Sequence, residues 1–546
     1  MKKHSKMLRN IGTAVCFFLV FSLSVKAQKY FNVADYGAKN DSSALATKAI
    51  EKAISAASKL GGGTIYFGPG KYLTGPIHLK SNITILIDAG AELHFSDNFD
   101  NYLPMVPSRW EGTTVNNFSP LFYAYKADNI AITGRGLING NGKKWWATSE
   151  NFTNVKPQKY MDIFKANNKE VIAPDLEGWI ERGFLRPPFI QFMFCKNVLI
   201  QGIKIINSPF WTINPQFCEN VTIQGVTIEN PPSPNTDGIN PESCKYVHIS
   251  DCHISVGDDC ITIKSGKDRD GRKWNMPAEN YTITNTTMLS GHGGVVIGSE
   301  MSGGVKKIVI SNCVFDGTDR GIRIKSARGR GGVVEDIRVS NIIMKNIKQE
   351  AIVLNMQYAK TEVEPVSERT PIFRNIHFSN ITGVDINVAG KIIGIEELPV
   401  DQITFNDIQL DAKEGFSILN AKNIEFHQVT INAKIGSSLK TENVNGLEIN
   451  GFKTNAPLKN NSVISLKNTS NVFIHNSWPK AGSLSFVDIS GKFRRCHFQC
   501  TQNRFFNLGN CFIQCVSNLR ISNNDFLRNS RHQVTSANSK VCRWIV

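Results

Sequence analysis

The chain has 546 residues and a formal net charge of +16 at pH 7, with Lys and Arg spread along it rather than gathered in a basic tract. Such an excess suits nucleic acid, an anionic lipid surface, an acidic polysaccharide or simply a solvated surface, so charge alone does not choose a partner. The 12 cysteines form no CxxC pair, which argues against a zinc site or a dense disulfide framework.

Residues 1–27 have the pattern of a secretory signal peptide. Basic residues at positions 2, 3, 6 and 9 precede an apolar run at 11–23 that is too short to span a bilayer, and Val25 and Ala27 suit cleavage. The residue before Cys16 is Val, which does not fit a lipobox, so no membrane anchor is expected. We predict a secreted or periplasmic protein. Cleavage after Ala27 removes Cys16 and leaves eleven cysteines, an odd number that forces at least one free thiol and leaves room for one or two disulfides.

The apolar residues between positions 46 and 60 follow a helical period. One face of such a helix would carry Ala46, Ala49, Ile50, Ala53, Ile54, Ala57 and Leu60. Asp41 to Ser43 offer N-cap side chains, and Gly61 to Gly63 offer a stop. We therefore predict an amphipathic helix that caps the open end of the structure that follows.

Short β-branched triplets recur along the rest of the chain, mostly at steps of about 20 to 30 residues. Examples are Val198-Leu199-Ile200, Val221-Thr222-Ile223, Val247-His248-Ile249, Ile308-Val309-Ile310 and Val472-Phe473-Ile474. This pattern predicts an all-β solenoid with coils from about Gly63 to at least Ile474, within one domain at 28–490. Leucine-rich repeats have similar periods but need an LxxLxLxxN pattern that is missing, and a β-sandwich would not need so many equivalent units.

The segment 491–546 differs in composition from the coils before it. It holds five cysteines and one acidic residue, Asp525, yet Leu519-Arg520-Ile521 still resembles a coil strand. The segment is interpreted either as the last coils or as an aberrant end of the chain.

Four polar segments can be aligned on the apolar residue that opens each strand. These anchors are Ile239, Ile261, Val295 and Ile322. The alignment puts Asp237 and Asp259 at equivalent positions on adjacent coils, about 4.8 Å apart, with Asp258 on the other side of the Asp259 peptide. His292 falls at the level of Asp258 on the next coil.

The strand that begins at the fourth anchor, Ile322, adds two cations to this cluster. Arg323 and Lys325 are two residues apart on one strand and therefore share a face. Close carboxylates repel, so at least one should keep its proton, and glycosidic cleavage uses a protonated carboxyl beside an ionised one. The alternative is that Asp occupies solenoid turns for structural reasons alone.

These segments also carry a family resemblance. Asn235-Thr236-Asp237-Gly238, Gly257-Asp258-Asp259, Gly291-His292-Gly293 and Arg323-Ile324-Lys325 resemble, in order, the four motifs of glycoside hydrolase family 28, the polygalacturonases. The segments at 31–38 and 61–67 resemble the family's first coil, so the resemblance covers roughly residues 30 to 475. It implies a right-handed parallel β-helix that hydrolyses α-1,4-linked galacturonate with inversion and without a metal or other cofactor.

The resemblance also implies a role for each residue of the cluster. Asp258 would be the general acid, while Asp237 and Asp259 would hold and deprotonate the attacking water. His292 would tune the proton on the acid. An inverting arrangement predicts an acid–base separation of about 6.5–9.5 Å.

The remaining residues would bind substrate. Arg323 and Lys325 would grip a galacturonate carboxylate, and Asn235 and Tyr358 would also contact the sugar chain. The partner expected from this set is pectin or an oligogalacturonide, not nucleic acid or a membrane, and the enzyme is expected to be a monomer.

Insertions at 143–190 and 267–279 are long enough to wall off one end of a cleft. They resemble those of exo-acting members, which favours release of galacturonate from chain ends.

Two rival functions stay open at this point. One is a calcium-dependent pectate lyase on the same kind of solenoid, and the other is a non-catalytic polysaccharide-binding solenoid.

Overall fold

The computed structural model describes residues 29–149, 157–172 and 184–491, together with the backbone of two strands at 496–499 and 520–521. The signal predicted at 1–27 and most of the segment 491–546 lie outside these residues. In the described part of the chain, no helix is long and apolar enough to cross a membrane.

The described helices are α1 (Thr47–Lys59), α2 (Lys143–Trp146), α3 (Gln158–Asn168) and α4 (Asp268–Trp274), with two 3-10 helices at Val33–Tyr36 and Phe99–Tyr102. The strands of the first part are β1 (Tyr30–Asn32), β2 (Asp41–Leu45), β3 (Gly63–Phe67), β4 (Gly70–Thr74), β5 (Ile77–His78), β6 (Ile83–Ile87), β7 (Ala91–Phe95), β8 (Val106–Trp110), β9 (Thr113–Asn117), β10 (Phe122–Tyr125), β11 (Asp128–Gly134), β12 (Leu137–Asn139), β13 (Ile190–Met193), β14 (Lys196–Gln201), β15 (Lys204–Ile206), β16 (Glu219–Gln224) and β17 (Thr227–Glu229). The later strands are β18 (Lys245–Ser250), β19 (His253–Ser255), β20 (Ile261–Ile263), β21 (Ala278–Thr284), β22 (Thr287–Ser290), β23 (Val295–Ile297), β24 (Val305–Asp316), β25 (Ile322–Lys325), β26 (Val333–Asn355), β27 (Ile372–Ile393), β28 (Val400–Asn450), β29 (Ser462–Lys467), β30 (Ser470–His475), β31 (Ser485–Ser490), β32 (Cys496–Gln499) and β33 (Arg520–Ile521).

The strands stack coil upon coil in three parallel sheets, which confirms the predicted β-helix. The first sheet runs through β1, β3, β6, β11, β14, β16, β18 and β21, and the second through β2, β4, β7, β12, β15, β17, β19 and β22. The third runs through β5, β10 and β13, then single bridges at Ile213 and Ile239, then β20, β23, β25 and the end of β26. The coils extend past Ile474 to β33.

Stacked apolar side chains fill the interior. Ile200, Ile223 and Ile249 lie opposite one another on successive coils and are fully buried. Farther along, the rings of Phe378 and Phe405 stack with centroids 5.1 Å apart. Because every coil buries its inward residues on its neighbours, the strand triplets of the sequence recur at the coil period.

Asparagine ladders explain why polar residues interrupt each coil. Asn82, Asn129, Asn197 and Asn220 have φ values of 64°, 55°, 56° and 58°, the left-handed region that Asn tolerates. From Asn129 onward, each side-chain amide donates to the side-chain oxygen of the Asn on the previous coil, at 2.9, 2.8 and 3.1 Å in turn. The ladders therefore turn the chain at one corner while satisfying its polar groups.

Helix α1 packs against the first coil, as predicted, but its ends differ from the prediction. Asp41 to Ser43 do not cap it: they lie in β2, where Asp41 Oδ1 accepts from the Ser43 N–H at 2.9 Å, and the N-cap is Ala46 without a side-chain bond. Leu60 was wrongly placed on the buried face, since it lies beyond the helix and is 59% exposed. The glycine stop is confirmed, with φ of 86° at Gly61.

The six cysteines between 184 and 491 are all buried and form no disulfide. Three of them, Cys195, Cys218 and Cys244, lie on successive coils inside the β-helix. They act as small apolar side chains of the core, in agreement with the absence of a disulfide framework inferred from sequence.

Candidate active site

The register predicted for the four polar segments is confirmed. Ile239 pairs with Ile261, Ile261 with Val295, and Val295 with Ile322, all in parallel. The turns that precede these residues therefore lie side by side along the third sheet, and they carry Asp237, Asp258, Asp259 and His292. The strand β25 adds Arg323 and Lys325 on the coil beyond His292.

One oxygen from each of Asp237, Asp258 and Asp259 lies within 4.8 Å of one oxygen from each of the others. Asp237 and Asp259 are 3% and 1% exposed, whereas the side chain of Asp258 is 19% exposed. The predicted acid–base separation of about 6.5–9.5 Å is therefore wrong. The carboxylates stand at adjacent coil positions, and the spacing of neighbouring strands brings them closer.

Asp237 is the carboxylate whose protonation the site favours. Its Oδ2 accepts from Asn240 Nδ2 at 2.9 Å and from Thr262 Oγ1 at 3.2 Å. Its buried Oδ1 has no hydrogen-bond partner among the described residues. Burial, together with the negative charge of Asp258, raises the pKa of Asp237 well above its ordinary value. This agrees with the expectation that one carboxyl of the cluster keeps its proton.

Asp258 lies at the surface of the cluster and pairs with His292. Its Oδ1 lies 3.2 Å from Nδ1 of His292 and accepts from the Asp259 backbone N–H at 2.9 Å. Burial pushes the pKa of Asp258 upward, but the His292 hydrogen bond and the charge of Lys325 outweigh burial and hold it below its usual value. The same hydrogen bond raises the pKa of His292. Both shifts favour a charged pair, in which the imidazole carries the proton and Asp258 is ionised.

Asp259 is held by both cations of β25. Lys325 Nζ lies 2.8 Å from Asp259 Oδ2, and Arg323 Nη1 lies 3.7 Å from Oδ1. Gly293, on the intervening coil, leaves this side of the carboxylate open, since a Cβ there would lie 3.3 Å from Oδ1. The ring of Tyr358 lies over both cations, 5.4 Å from the Arg323 guanidinium carbon and 5.3 Å from Lys325 Nζ.

Asn235 lies at the edge of the cluster and makes a different contact. It has φ of 55°, and its Oδ1 accepts from Arg186 Nη2 at 2.7 Å. Arg186 is buried, and its guanidinium lies 5.0 Å from the ring centre of Phe210. The structure thus gives Asn235 a partner in the 143–190 insertion, and its contact with substrate stays a prediction.

Sequence reasoning missed a second buried lysine beside the acids. Lys264 is 3% exposed, and its Nζ lies 2.7 Å from Glu300 Oε2 and 4.3 Å from the centre of the Trp211 ring. Its positive charge acts on Asp237, opposing the effect of burial on the pKa of that carboxyl. The signal was present, because Lys264 follows its strand anchor at the same spacing as Lys325.

An antiparallel hairpin, β8–β9, covers the third sheet on the N-terminal side of the cluster. Arg109, at 1% exposure, donates from Nε to Glu242 at 2.9 Å and from Nη1 to Asp270 of α4 at 2.7 Å. Ser108 donates to Gln191 at 2.7 Å. The outward side chains of these coils, Gln191, Asn214, Gln216 and Glu242, are fully buried.

Both predicted insertions pack on this hairpin. From the first, Asn168 of α3 accepts from the Asn116 N–H at 2.7 Å and donates to its carbonyl at 2.8 Å. From the second, Asp270 accepts from the Thr114 N–H at 3.2 Å. The hairpin and the two insertions together form a wall, residues 106–117, 158–168 and 268–274, on the N-terminal side of the acidic cluster. The outer face of the third sheet, from this wall onward, is called the groove.

The acidic cluster also has the composition of a possible cation site, since carboxylate oxygens are the ligands of hard divalent ions. Two features oppose binding of such an ion. Lys325 and Arg323 already balance the charge of Asp259, and the raised pKa of Asp237 favours its neutral form, which is a poor ligand. The residues therefore fit an acid–base site better than a calcium site.

Comparison with known proteins agrees with the fold. Residues 181–430 match the glycosyl hydrolases family 28, and residues 30–179 match the rhamnogalacturonase A/epimerase, pectate lyase-like family. A probable polygalacturonase of Vitis vinifera is 30% identical over 69% of this chain and 74% of its own length. An endo-polygalacturonase of Pectobacterium carotovorum subsp. carotovorum is 29% identical over 70% and 88%.

Among solved structures, a hyperthermoactive exopolygalacturonase from Thermotoga maritima superposes with a TM-score of 0.65. It is 35% identical, and the match covers 73% of this chain and 91% of that one. With the parallel β-helix, the four motifs in register and these relatives taken together, the chain belongs to glycoside hydrolase family 28.

Proposed function

We propose that this enzyme hydrolyses the α-1,4 linkage of polygalacturonate and releases galacturonate from chain ends. The observation that carries the proposal is the acidic cluster of Asp237, Asp258 and Asp259 directly beside Arg323 and Lys325. The carboxylates supply the acid and base of glycosidic hydrolysis, and the guanidinium supplies a bidentate partner for a uronate. The expected ligands are accordingly pectin and oligogalacturonides.

Asp237 and Asp259 are suited to hold the attacking water. Each has a buried Oδ1 without a hydrogen-bond partner among the described residues, and such oxygens are normally satisfied by a donor such as water. One water can donate to two carboxylates that lie within 4.8 Å, because each bond needs only about 2.7 Å. Asp237, whose pKa is raised, must give up its proton before it can act as a base.

Asp258 is the carboxyl placed to protonate the leaving oxygen, since it is the most exposed of the three. In the free enzyme its proton is held by His292, 3.2 Å away. When a glycosidic oxygen replaces water beside Asp258, the proton can pass from His292 to Asp258 and on to the leaving group. His292 is therefore a proton donor to the acid rather than a direct contact of the scissile bond.

The wall at 106–117, 158–168 and 268–274 supports an exo-acting mode, because it buries the outward side chains of the coils before Asp237. Digestion of polygalacturonate is expected to release monomer from the start, while the viscosity falls slowly. Product sizing by chromatography with a chelator present tests this. Early mid-length oligomers would contradict the exo mode, calcium-dependent release of unsaturated products would indicate a lyase, and binding without cleavage would indicate a non-catalytic solenoid.

Hydrolysis is expected to proceed with inversion, because Asp237 and Asp259 hold a water that attacks the sugar and do not attack it themselves. NMR of the earliest product should show the anomer opposite to that of the substrate. Retention would contradict the water-holding assignment. It would point to one of the deep carboxylates as a nucleophile, a role for which a separation of about 5–5.5 Å is typical.

We infer from residues 1–27 that the enzyme is exported, as suits a polymeric substrate that does not enter cells. We also propose that it acts as a monomer without a cofactor. The groove, its wall and its acidic cluster are all built from one chain.

A further inference from the structure

The third sheet continues beyond Arg323, away from the wall, onto coils whose side chains the catalytic proposal does not use. Arg323 pairs with Val353 on the next coil, and Val353 pairs with Lys391 on the one after. Lys391 thus repeats the position of Arg323 two coils farther along the same sheet. At the usual strand spacing this displacement is about 10 Å.

Backbone hydrogen bonds define a second row of residues on the same face, and this row ends beside Lys391. The carbonyls of Asp259, Gly293, Arg320 and Glu350 accept N–H groups from successive coils at 2.9–3.0 Å. Arg320 and Glu350 therefore continue the row on which Asp259 lies. The two rows converge on one group of side chains, Arg320, Glu350 and Lys391.

This group contains two cations and one carboxylate. Glu350 Oε2 lies 3.0 Å from Arg320 Nε, and Glu350 Oε1 lies 3.0 Å from Lys391 Nζ. Arg320 also donates to the Gln349 side chain. The side chain of Glu350 is 11% exposed, while those of Arg320 and Lys391 are 20% and 34% exposed. Glu350 thus lies beneath two cations that solvent reaches, and the group carries a net charge of +1.

An ammonium has three donors and a guanidinium has five, so one shared carboxylate does not exhaust them. A 1→4-linked uronate chain lying along the groove presents one carboxylate per sugar, at intervals comparable to the coil spacing. A chain gripped at Arg323 would therefore bring a later carboxylate over Lys391 and Arg320.

We propose that Arg320, Glu350 and Lys391 form a distal uronate subsite, which binds a galacturonate carboxylate about two sugars from the one held by Arg323. This rests on the proposed function, since it presumes a galacturonate polymer in the groove. Glu350 orients the two cations, and Lys391 contributes the mobile donor. The subsite gives affinity that only substrates long enough to reach it can use.

The test compares chain lengths. In Lys391→Met, kcat/KM on a pentamer or hexamer of galacturonate is expected to fall about tenfold further than on the dimer, through KM, since a charge-assisted bond is lost. Lys391→Glu should widen this difference. The matched control is Lys345→Met, an exposed lysine on a different sheet of the neighbouring coil, for which the ratio between long and short substrates should equal that of wild type.

The outcomes separate the subsite from the function it rests on. Equal losses on all chain lengths, or no loss on any, in a Lys391→Met protein with wild-type thermal unfolding would overturn the subsite. If that variant unfolds early, Lys391→Gln takes its place with the same criterion. Absence of galacturonate release by wild-type enzyme would instead contradict the proposed function. Oligogalacturonate binding to wild type and variant, measured by calorimetry, would then decide the subsite separately.

Discussion

Asp258→Asn is expected to lower kcat on oligogalacturonates by about 10²–10⁴-fold, the contribution typical of a general acid. Asn keeps the size of the side chain and can still accept from the Asp259 N–H, a bond of 2.9 Å in the wild type. It cannot relay a proton from His292 to the leaving oxygen. The loss should therefore fall on kcat, with little change in thermal stability, and steady-state kinetics with circular dichroism melting measure both.

A matched control is Asp407→Asn, at an exposed position of β28 far along the β-helix. Its φ is 54°, a conformation that Asn adopts readily, so activity and stability should both stay at wild-type values. Substrates with a leaving group that needs no proton give a second check. On these, the Asp258→Asn deficit should shrink, and wild-type turnover of Asp258→Asn on natural oligomers would remove Asp258 from the acid role.

The fold and the placement of the acids could be predicted because both follow from one periodicity. Inward residues such as Ile223 and Ile249 must stack, so the apolar anchors fix which turn residues are neighbours. Register then brings Asp237 beside Asp259 without any knowledge of side-chain geometry. The same reasoning would have revealed Lys264, had the third position after each anchor been compared.

Other features escaped sequence reasoning for identifiable reasons. The β8–β9 hairpin interrupts the repeat, and its central contact joins Arg109 to Glu242, 133 residues away, where no local pattern operates. The acid–base separation was wrong because a value general to inverting enzymes was applied where coil spacing sets the distance. Two local signals also misled: Asp41 suited an N-cap but belongs to a strand, and Leu60 fits the helical period one residue past the helix end.

Replacing the two cations of β25 should affect different kinetic constants, kcat for Lys325 and KM for Arg323, although sequence analysis assigned both residues the same role. Lys325 lies 2.8 Å from buried Asp259, with 9% of its side chain exposed, so Lys325→Met leaves that carboxylate without its nearest partner. A buried carboxylate that loses its paired cation is left with an uncompensated charge, so its side chain is no longer held in place to bind the attacking water. We expect kcat to fall by at least about 10²-fold.

Arg323 lies farther from the same carboxylate, at 3.7 Å, and its guanidinium has five N–H donors, so it keeps donors for a uronate carboxylate. Arg323→Gln should therefore raise KM by about ten- to a hundredfold, the value of a charge-assisted hydrogen bond of roughly 1.5–3 kcal/mol, while kcat changes less.

A double-mutant cycle distinguishes the roles of the two cations. Asp259→Asn should add little to Lys325→Met, because both disable one base, but should add its full loss to Arg323→Gln. Additive losses for Lys325 and Asp259 would show that their contact does not sustain the base, and unchanged KM in Arg323→Gln would show that Arg323 does not bind the uronate.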